Sequence, residues 1–188
     1  SILAYLVAEV LGTDPADIHL VVADTDLTPV DLGSYSSRVT LMAGNAAVRA
    51  AEKLRGQLFQ AAAKKLEVEP AQLVARERKI FVRDDPEKAL AFADVVQLAE
   101  AMFGTLVAAG SYAPPKRAGK YKGGGVGPSP CYTYSACVVD LDVDPDTGEI
   151  KVHDVWVVHD VGRALTPLLA EGQIEGSIYM GLGEALME

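Results

Sequence analysis

The stretch Gly33-Ser34-Tyr35-Ser36-Ser37-Arg38 runs directly into a long helical pattern that begins near Val39 or Thr40. The first backbone N–H groups of a helix have no partner within the helix, and the helix dipole places partial positive charge at that end. Small hydroxyls, free amides and a guanidinium at such a terminus suit a phosphate or pyrophosphate group. The pattern therefore predicts an anion site at Ser36, Ser37 and Arg38.

The same stretch also has a simpler interpretation. Serine is favoured at the N-cap of a helix, where its hydroxyl accepts a hydrogen bond from an amide two or three residues further on. In that case Ser36 or Ser37 would cap the helix and bind no ligand. The sequence alone leaves both interpretations open.

A second candidate lies in a C-terminal helix, for which Thr166 is the expected N-cap and Pro167 the expected first residue. Gly172, Gln173 and Gly176 share one face of this helix. Each glycine costs about 1 kcal/mol of helix propensity relative to alanine. The bare face therefore indicates close approach of either a neighbouring backbone or a planar ligand. In the second case the amide of Gln173 would donate to and accept from the polar edge of the ligand.

Several segments, taken in order, resemble the large molybdopterin-binding subunit of the xanthine oxidase family. They are residues 24–29, 33–38, 42–47, 159–167, 171–173 and 180–183. The resemblance covers nearly the whole chain. Within the family, residues 110–115 and 121–130 are most similar to the 4-hydroxybenzoyl-CoA reductase branch.

This resemblance implies a molybdenum–pterin cytosine dinucleotide cofactor, with iron–sulfur clusters and FAD on partner subunits. In the 4-hydroxybenzoyl-CoA reductase branch, two electrons remove the phenolic hydroxyl of 4-hydroxybenzoyl-CoA and yield benzoyl-CoA. Ser36, Ser37 and Arg38 would hold the phosphates of the dinucleotide, and Gln173 would hydrogen-bond to the cofactor. Many relatives carry Asn where Thr166 stands here, so the resemblance implies no cofactor contact from that side chain.

The resemblance also predicts that the chain is a fragment of a longer subunit and is inactive alone. No catalytic residue is assigned, because the active-site glutamate of the family is expected outside these residues. Glu184, in Gly181-Leu182-Gly183-Glu184, matches the motif of that glutamate only superficially. Two alternatives remain: another branch of the family, which would oxidise a purine, an aldehyde, CO or an N-heterocycle, or a non-catalytic anion-binding or assembly module.

The composition is that of an ordinary soluble globular protein. The 188 residues are 49% hydrophobic and 23% charged, and the net charge of −9 argues against binding to nucleic acid. No apolar run approaches the ~20 residues that a membrane-spanning helix needs. Cys131 and Cys137 would lie roughly 20 Å apart on one strand, too far for a disulfide. We therefore expect a protein of the reducing cytoplasm.

The sequence predicts no metal site. Asp140-x-Asp142-x-Asp144 begins like a calcium-binding loop, but Pro145 stands where that loop needs glycine and Lys151 where it needs glutamate. His153 and His159 would lie roughly 20 Å apart on one strand, too far to share a metal ion. Carboxylates that face solvent beside a turn explain the aspartates better.

The hydrophobic periodicity predicts an α+β fold with a mixed sheet, a long hairpin and packed helices. Helices are expected at about residues 2–12, 39–66, 93–104 and from 166 onward. Strands are expected at about residues 18–23, 73–75, 79–83, 105–112, 132–144 and 149–160. Residues 145–148, Pro-Asp-Thr-Gly, predict the hairpin turn between the last two strands. We expect residues 1–188 to form part of one molybdenum-cofactor-binding domain.

Residues 113–130, the basic segment, form an irregular glycine-rich stretch between two halves of the chain. Lys116, Arg117, Lys120 and Lys122 bring four positive charges with no acidic residue among them. Such a segment is either an exposed loop, which a partner subunit can also cover, or a binding surface for the phosphates of a coenzyme A thioester. The sequence alone leaves this choice open.

Overall fold

The computed structural model describes residues 1–31, 33–114 and 133–188. The chain divides into two compact units, Ser1–Pro114 and Pro115–Glu188. Most of the basic segment lies outside the described residues, so its predicted irregular conformation is not tested. The assignment of both halves to one cofactor-binding domain stays a prediction.

The first unit contains three helices and a three-stranded antiparallel sheet. The helices are α1 (Ile2–Leu11), α2 (Val39–Leu66) and α3 (Phe92–Phe103); the strands are β1 (Leu73–Arg76), β2 (Lys79–Val82) and β3 (Asp85–Ala91). The strands pair in the order β1-β2-β3. The predicted helices at 2–12, 39–66 and 93–104 and the predicted strands at 73–75 and 79–83 are therefore confirmed to within one or two residues.

The core of the first unit lies between α2, α3 and the sheet. Leu58 of α2, Ile80 of β2 and Val95 of α3 are its largest fully buried side chains. Ala61, Ala62 and Ala63 are also buried, and their small side chains let α2 approach its neighbours closely. This packing fixes the direction of the 28-residue helix α2, whose first turn carries the candidate anion site.

Gly12 ends α1 and joins it to the sheet. Its φ of +70° is left-handed, and its N–H donates to the carbonyl of Ala8. A side chain at this position would place Cβ 2.3 Å from the carbonyl carbon of Ala75, so only glycine fits. The carbonyl of Gly12 in turn accepts from the N–H of Arg78 at 2.8 Å, which connects the helix end to the β1–β2 turn.

The second unit contains an antiparallel hairpin and a long helix. Its elements are β4 (Tyr134–Val143), β5 (Ile150–Asp160) and α4 (Pro167–Met187). The predicted hairpin and C-terminal helix are thus confirmed. At the turn, the carboxylate of Asp144 accepts from the N–H groups of Asp146 and Thr147 at 2.8 and 3.1 Å, and these bonds lower the pKa of Asp144. The carboxylate therefore stabilises a turn and faces solvent, as expected.

The predicted strand at residues 18–23 is wrong. These residues run without regular secondary structure, and their backbone pairs with no strand among the described residues. Leu20, Val21 and Val22 are all exposed. A β-strand exists only where a second strand satisfies its backbone groups, and apolar composition cannot supply that partner.

The predicted strand at residues 105–112 is also wrong. This segment joins none of the described strands and lies along α2, where side chains of the helix hydrogen-bond to its carbonyls. Strand β3, in contrast, was not predicted from the sequence, because Pro86, Glu87 and Lys88 are poor strand formers. Proline is tolerated because β3 is an edge strand among the described strands, where it pairs with β2 alone.

The α+β class is confirmed, although the described strands form two antiparallel sheets rather than one mixed sheet. Cys137 is an exposed free cysteine on β4, and Cys131 lies outside the described residues. In the part of the chain that is described, no helix is both long and apolar enough to cross a lipid bilayer.

Candidate functional site

The candidate anion site lies where a single 3₁₀ turn passes into α2. Tyr35–Ser37 form this turn, and α2 begins at Val39. Ser37 has a left-handed φ of +51°, which is uncommon for a residue other than glycine, asparagine or aspartate. A 3₁₀ turn and a left-handed residue thus precede the helix directly, so Ser37 and Arg38 lie at its N-terminal end.

For Ser37, the structure does not support the serine-cap interpretation, and the side chain of Ser36 lies outside the described part. Arg38, rather than a serine, occupies the N-cap position of α2, and its side chain makes no capping hydrogen bond. The first helical hydrogen bond runs from the N–H of Met42 to the carbonyl of Arg38 at 2.8 Å. The amides of Val39, Thr40 and Leu41 consequently have no partner within the helix and point away from its N-terminus.

Tyr35 holds the guanidinium of Arg38 in place. Arg38 Nη1 donates to Tyr35 Oη at 3.0 Å, and the guanidinium carbon lies 5.1 Å from the centroid of the tyrosine ring. One hydrogen bond leaves four of the five N–H donors of arginine for a further partner. Sequence reasoning missed Tyr35 as this partner, although its spacing of three residues from Arg38 suits the 3₁₀ turn between them.

Aspartate-centred turns shape the loop that leads to this site. Asp24 Oδ1 accepts from the N–H groups of Asp26 and Leu27 at 2.9 and 3.2 Å, and Asp31 Oδ1 accepts from the N–H of Gly33 at 2.6 Å. These carboxylates therefore accept hydrogen bonds from backbone amides and stabilise the turns of the loop. Leu32 and the side chain of Ser36 lie outside the described part, so the predicted role of Ser36 is not tested.

Gln173 lies on α4, in the second unit, and its side chain is exposed. A methyl group added at Gly172 or Gly176 would meet no atom within 4 Å among the described residues. The alternative of tight packing against another helix is therefore not seen within this part of the chain. Thr166 is the N-cap of α4, as predicted, but its hydroxyl makes no capping hydrogen bond.

Acidic and histidine side chains do not gather into a metal site within residues 1–31, 33–114 and 133–188. No group of three or more His, Cys, Asp or Glu side chains there is arranged to hold a metal ion. His153 Nε2 instead lies 2.8 Å from Asp142 Oδ2 across the hairpin.

Comparison with known proteins places the chain in a family. The chain matches the molybdopterin cofactor-binding domain over residues 1–188. It is 33% identical over its whole length to the probable hypoxanthine oxidase XdhD of Escherichia coli K12, of which it covers 18%. It is 30% identical over 97% of its length to the carbon monoxide dehydrogenase large chain of Afipia carboxidovorans, of which it covers 22%.

A solved structure agrees with these sequence matches. The fold is similar to that of quinoline 2-oxidoreductase from Pseudomonas putida 86, with a TM-score of 0.81 and 26% identity over 97% of this chain and 22% of that one. The chain therefore belongs to the molybdopterin cofactor-binding domain family of the xanthine oxidase type. It spans about a fifth of the length of these relatives.

Proposed function

We propose that this chain is part of the molybdenum–pterin-binding subunit of a molybdenum hydroxylase-type oxidoreductase of the cytoplasm. The observation that carries the proposal is the match to a molybdopterin cofactor-binding domain along all 188 residues. Iron–sulfur clusters and FAD would reside on partner subunits, and the active-site glutamate would lie elsewhere in the longer subunit. No catalytic role is proposed for the residues of this chain.

The start of α2 fits the phosphates of a pterin dinucleotide. Three backbone N–H groups have no partner within the helix there, and Tyr35 orients a guanidinium that keeps four donors. We propose that Arg38 and Ser37, together with Ser36, hold the pyrophosphate of molybdopterin cytosine dinucleotide, and that Gln173 hydrogen-bonds to the cofactor from α4. When bound, the molybdenum centre supplies the two-electron chemistry.

For the substrate, we propose 4-hydroxybenzoyl-CoA. The reduction consumes two electrons and two protons: the aromatic C–O bond breaks, a C–H bond forms, and benzoyl-CoA and water are released. The four positive charges of the basic segment support this proposal, since coenzyme A carries several phosphate charges. In a chain of net charge −9, a local positive segment would draw in such a ligand.

A second candidate is another branch of the family. The names of the relatives include a hypoxanthine oxidase, a carbon monoxide dehydrogenase and a quinoline oxidoreductase, and these names favour an oxidation. A non-catalytic anion-binding or assembly module is the third possibility.

Assays of the full-length subunit, purified with its partner subunits, would separate these candidates. We expect stoichiometric molybdenum, release of CMP on acid hydrolysis of the cofactor, and formation of benzoyl-CoA from 4-hydroxybenzoyl-CoA with a low-potential electron donor. Oxidation of hypoxanthine, CO, an aldehyde or quinoline without thioester reduction would overturn the substrate assignment. Absence of molybdenum would overturn the enzymatic proposal, and a nucleotide other than CMP would overturn the cytosine form.

Charge reversal tests the role of the basic segment directly. Replacing Lys120 and Lys122 by Glu in the complete enzyme should raise KM for 4-hydroxybenzoyl-CoA more than it lowers kcat. The effect should shrink at high salt, because exposed charges are screened beyond a Debye length of about 8–10 Å at physiological ionic strength. Lys64 and Lys65, exposed in the last turn of α2, offer a control with the same charge change. An unchanged KM at low salt would assign the segment to a subunit contact or a connector.

A further inference from the structure

Two cationic side chains extend from the middle of α2 onto residues 109–111. Arg49 Nη1 donates to the carbonyl of Ser111 at 2.8 Å, and Lys53 Nζ donates to the carbonyl of Ala109 at 2.7 Å. Arg49 and Lys53 lie four residues apart, so both reach from the same face of the helix. Each uses one donor for its carbonyl, which leaves four N–H groups on the guanidinium and two on the ammonium group.

Backbone contact at Gly110 fixes the position of this segment on α2. A side chain at residue 110 would place Cβ against the carbonyl oxygen of Ala46 and 2.6 Å from the amide nitrogen of Ala50, so the segment lies directly on the helix backbone. The guanidinium carbon of Arg49 also lies 4.9 Å from the centroid of the Tyr112 ring, a distance typical of a cation–π pair. These contacts orient the guanidinium before any ligand binds.

The same cationic side chains line an open cleft on the surface of the first unit. Its volume is about 490 Å³, and its lining residues are Arg49, Glu52, Lys53 and Ser111. Small-molecule sites commonly have volumes of about 300–1,000 Å³. All four residues are exposed, and neither cation forms an ion pair with a carboxylate among the described residues. The charge of both groups is therefore available to a ligand.

The cleft lies away from the proposed pyrophosphate site at the start of α2. Arg49 follows Arg38 by 11 residues, which places it about 16 Å further along the helix axis at ~1.5 Å per residue. A single pyrophosphate group does not span this distance. The two cationic positions would therefore bind different phosphate groups.

We infer that this cleft binds the ribose 5′-phosphate part of a nucleotide, separately from the molybdenum cofactor. The phosphate accepts hydrogen bonds from Arg49, which presents a planar fork, and from Lys53, which presents a point charge. The hydroxyl of Ser111 is a further donor at the same end of the cleft. The carboxylate of Glu52 accepts from the ribose hydroxyls, as an acidic side chain does in dinucleotide-binding folds.

The spacing of Arg49 and Glu52 on the helix suits this arrangement. Cβ atoms three residues apart on a helix lie about 5–6 Å from each other, so the two side chains can contact neighbouring groups of one small ligand. A phosphate ion alone would be repelled by Glu52 and would gain nothing from it. A ribose phosphate instead uses the carboxylate as a hydrogen-bond acceptor. The cleft would bind such a nucleotide whether or not the substrate of the enzyme is a coenzyme A thioester.

Calorimetric titration with AMP tests the inference in the full-length enzyme with its partner subunits and its bound cofactor. Arg49→Ala and Lys53→Gln should each weaken AMP binding about tenfold, because each removes charge-assisted hydrogen bonds to the phosphate. Arg55→Ala is the matched control: Arg55 also donates to a backbone carbonyl, that of Val10 at 3.3 Å, but does not line the cleft. It should bind AMP like the wild type, and all three variants should keep their molybdenum.

A second ligand, 2′,3′-dideoxy-AMP, tests the role of Glu52. The wild-type enzyme should bind AMP about tenfold more tightly than the dideoxy compound, and Glu52→Ala should abolish this preference because the acceptor for the hydroxyls is lost. Inorganic phosphate should bind more tightly to Glu52→Ala than to the wild type, since a repulsive charge has been removed. A side chain with a purely structural role would not change the two ligands in opposite directions.

Several outcomes would overturn the inference. Unchanged AMP affinity in Arg49→Ala and Lys53→Gln would mean that these cations only attach residues 109–111 to α2. Equal weakening in Arg55→Ala would show a general effect of charge. Inorganic phosphate that binds the wild type as tightly as AMP, or a preference for AMP that survives in Glu52→Ala, would exclude recognition of the ribose. Molybdenum content and the substrate assays of the wild type test the proposed function separately.

Discussion

At the scale of the residue, Arg38 shows how local sequence and local geometry combine at the candidate site. The sequence indicates a cation beside a helix N-terminus, and this follows from residue types and helix periodicity alone. The structure adds Tyr35 as a second residue of the site. Its hydroxyl oxygen accepts a 3.0 Å hydrogen bond from the guanidinium, and the face of its ring makes a cation–π contact with the same group. A fixed arginine loses less conformational entropy when it binds a phosphate than a free one does.

Replacing Arg38 by Ala in the full-length enzyme should lower cofactor occupancy. A hydrogen bond to a charged group contributes about 1.5–3 kcal/mol, which corresponds to a loss of affinity of roughly tenfold to more than a hundredfold. Arg38→Lys should recover only part of the occupancy, because lysine keeps the charge but loses the planar fork. Molybdenum analysis and the CMP released from purified enzyme measure the effect.

The control for this prediction is Arg55→Ala, on the same helix but away from its N-terminus. It should retain molybdenum and CMP. Wild-type occupancy in the Arg38→Ala enzyme would mean that this arginine only stabilises the local turn, and the proposed phosphate site would then be wrong.

At the scale of the element, an ion pair joins the 3₁₀ turn Pro15–Asp17, which follows α1, to the β1–β2 turn. Arg78 Nε donates to Asp17 Oδ2 at 2.7 Å and Nη2 donates to Asp17 Oδ1 at 3.1 Å. Glu77 and Arg78 form the two-residue turn with left-handed φ values of 52° and 60°. Such turns usually carry Asn or Gly, because other residues rarely adopt these φ values. The ion pair of Arg78 and its hydrogen bond to the carbonyl of Gly12 therefore stabilise a turn conformation that Glu77 and Arg78 disfavour by themselves.

This ion pair predicts a pH dependence of stability. The hydrogen bonds from Arg78 hold the pKa of Asp17 below its usual value. The group therefore adds stability above the unfolded pKa of about 3.9, and the contribution is lost as pH falls through the lower folded pKa. Asp17→Asn should thus destabilise the chain at pH 7 and lose less stability on acidification, as measured by thermal unfolding from neutral pH to about pH 2.

Glu77→Gln is the comparison for the pH experiment. Glu77 pairs with Arg76 at 3.2 Å, but both side chains are about three-quarters exposed (78% and 74%), and such surface pairs contribute little. This variant should follow the wild-type stability curve. If Asp17→Asn follows it as well, the geometry of the Asp17–Arg78 pair has no thermodynamic consequence.

At the scale of the whole molecule, the two units differ in how much of their surface they bury. All of the buried hydrophobic side chains in the described residues belong to the first unit. In the second unit, large apolar side chains such as Tyr134, Val158 and Leu168 are 75–80% exposed. A two-stranded hairpin is at best marginally stable without a covering layer. The relatives are several times longer than this chain, so we expect further polypeptide to cover these side chains in the parent protein.

Amide hydrogen exchange on the isolated 188-residue chain should report this difference. Amides of α2 near Leu58 and of β2 near Ile80 should exchange slowly, whereas those of β4 and β5 should exchange at least about tenfold faster. In the full-length protein the exchange of β4 and β5 should slow, while that of α2 should change little. Equal protection of both units in the isolated chain would contradict this prediction.

The sequence by itself determined the helices and the long hairpin of β4 and β5, which form between chain neighbours. The 3.6-residue periodicity of α2 and the Pro-Asp-Thr-Gly turn at residues 145–148 are local signals, and each element follows from them without distant contacts. The same local information identified Ser37, Arg38 and Gln173 as candidate cofactor contacts. It could not identify Tyr35 as the partner of Arg38, because that contact depends on the 3₁₀ turn and on the left-handed backbone of Ser37.

Only the tertiary structure determined the conformation of the apolar segments at residues 18–23 and 105–112. Both have strand-like composition, but a strand requires a partner for its backbone groups, and composition says nothing about which partner is present. For residues 105–112, Arg49 and Lys53 supply hydrogen bonds to the carbonyls and Gly110 permits contact with α2, so the segment lies on a helix instead of in a sheet. Long-range contacts thus override local propensity where a segment can satisfy its backbone in more than one way.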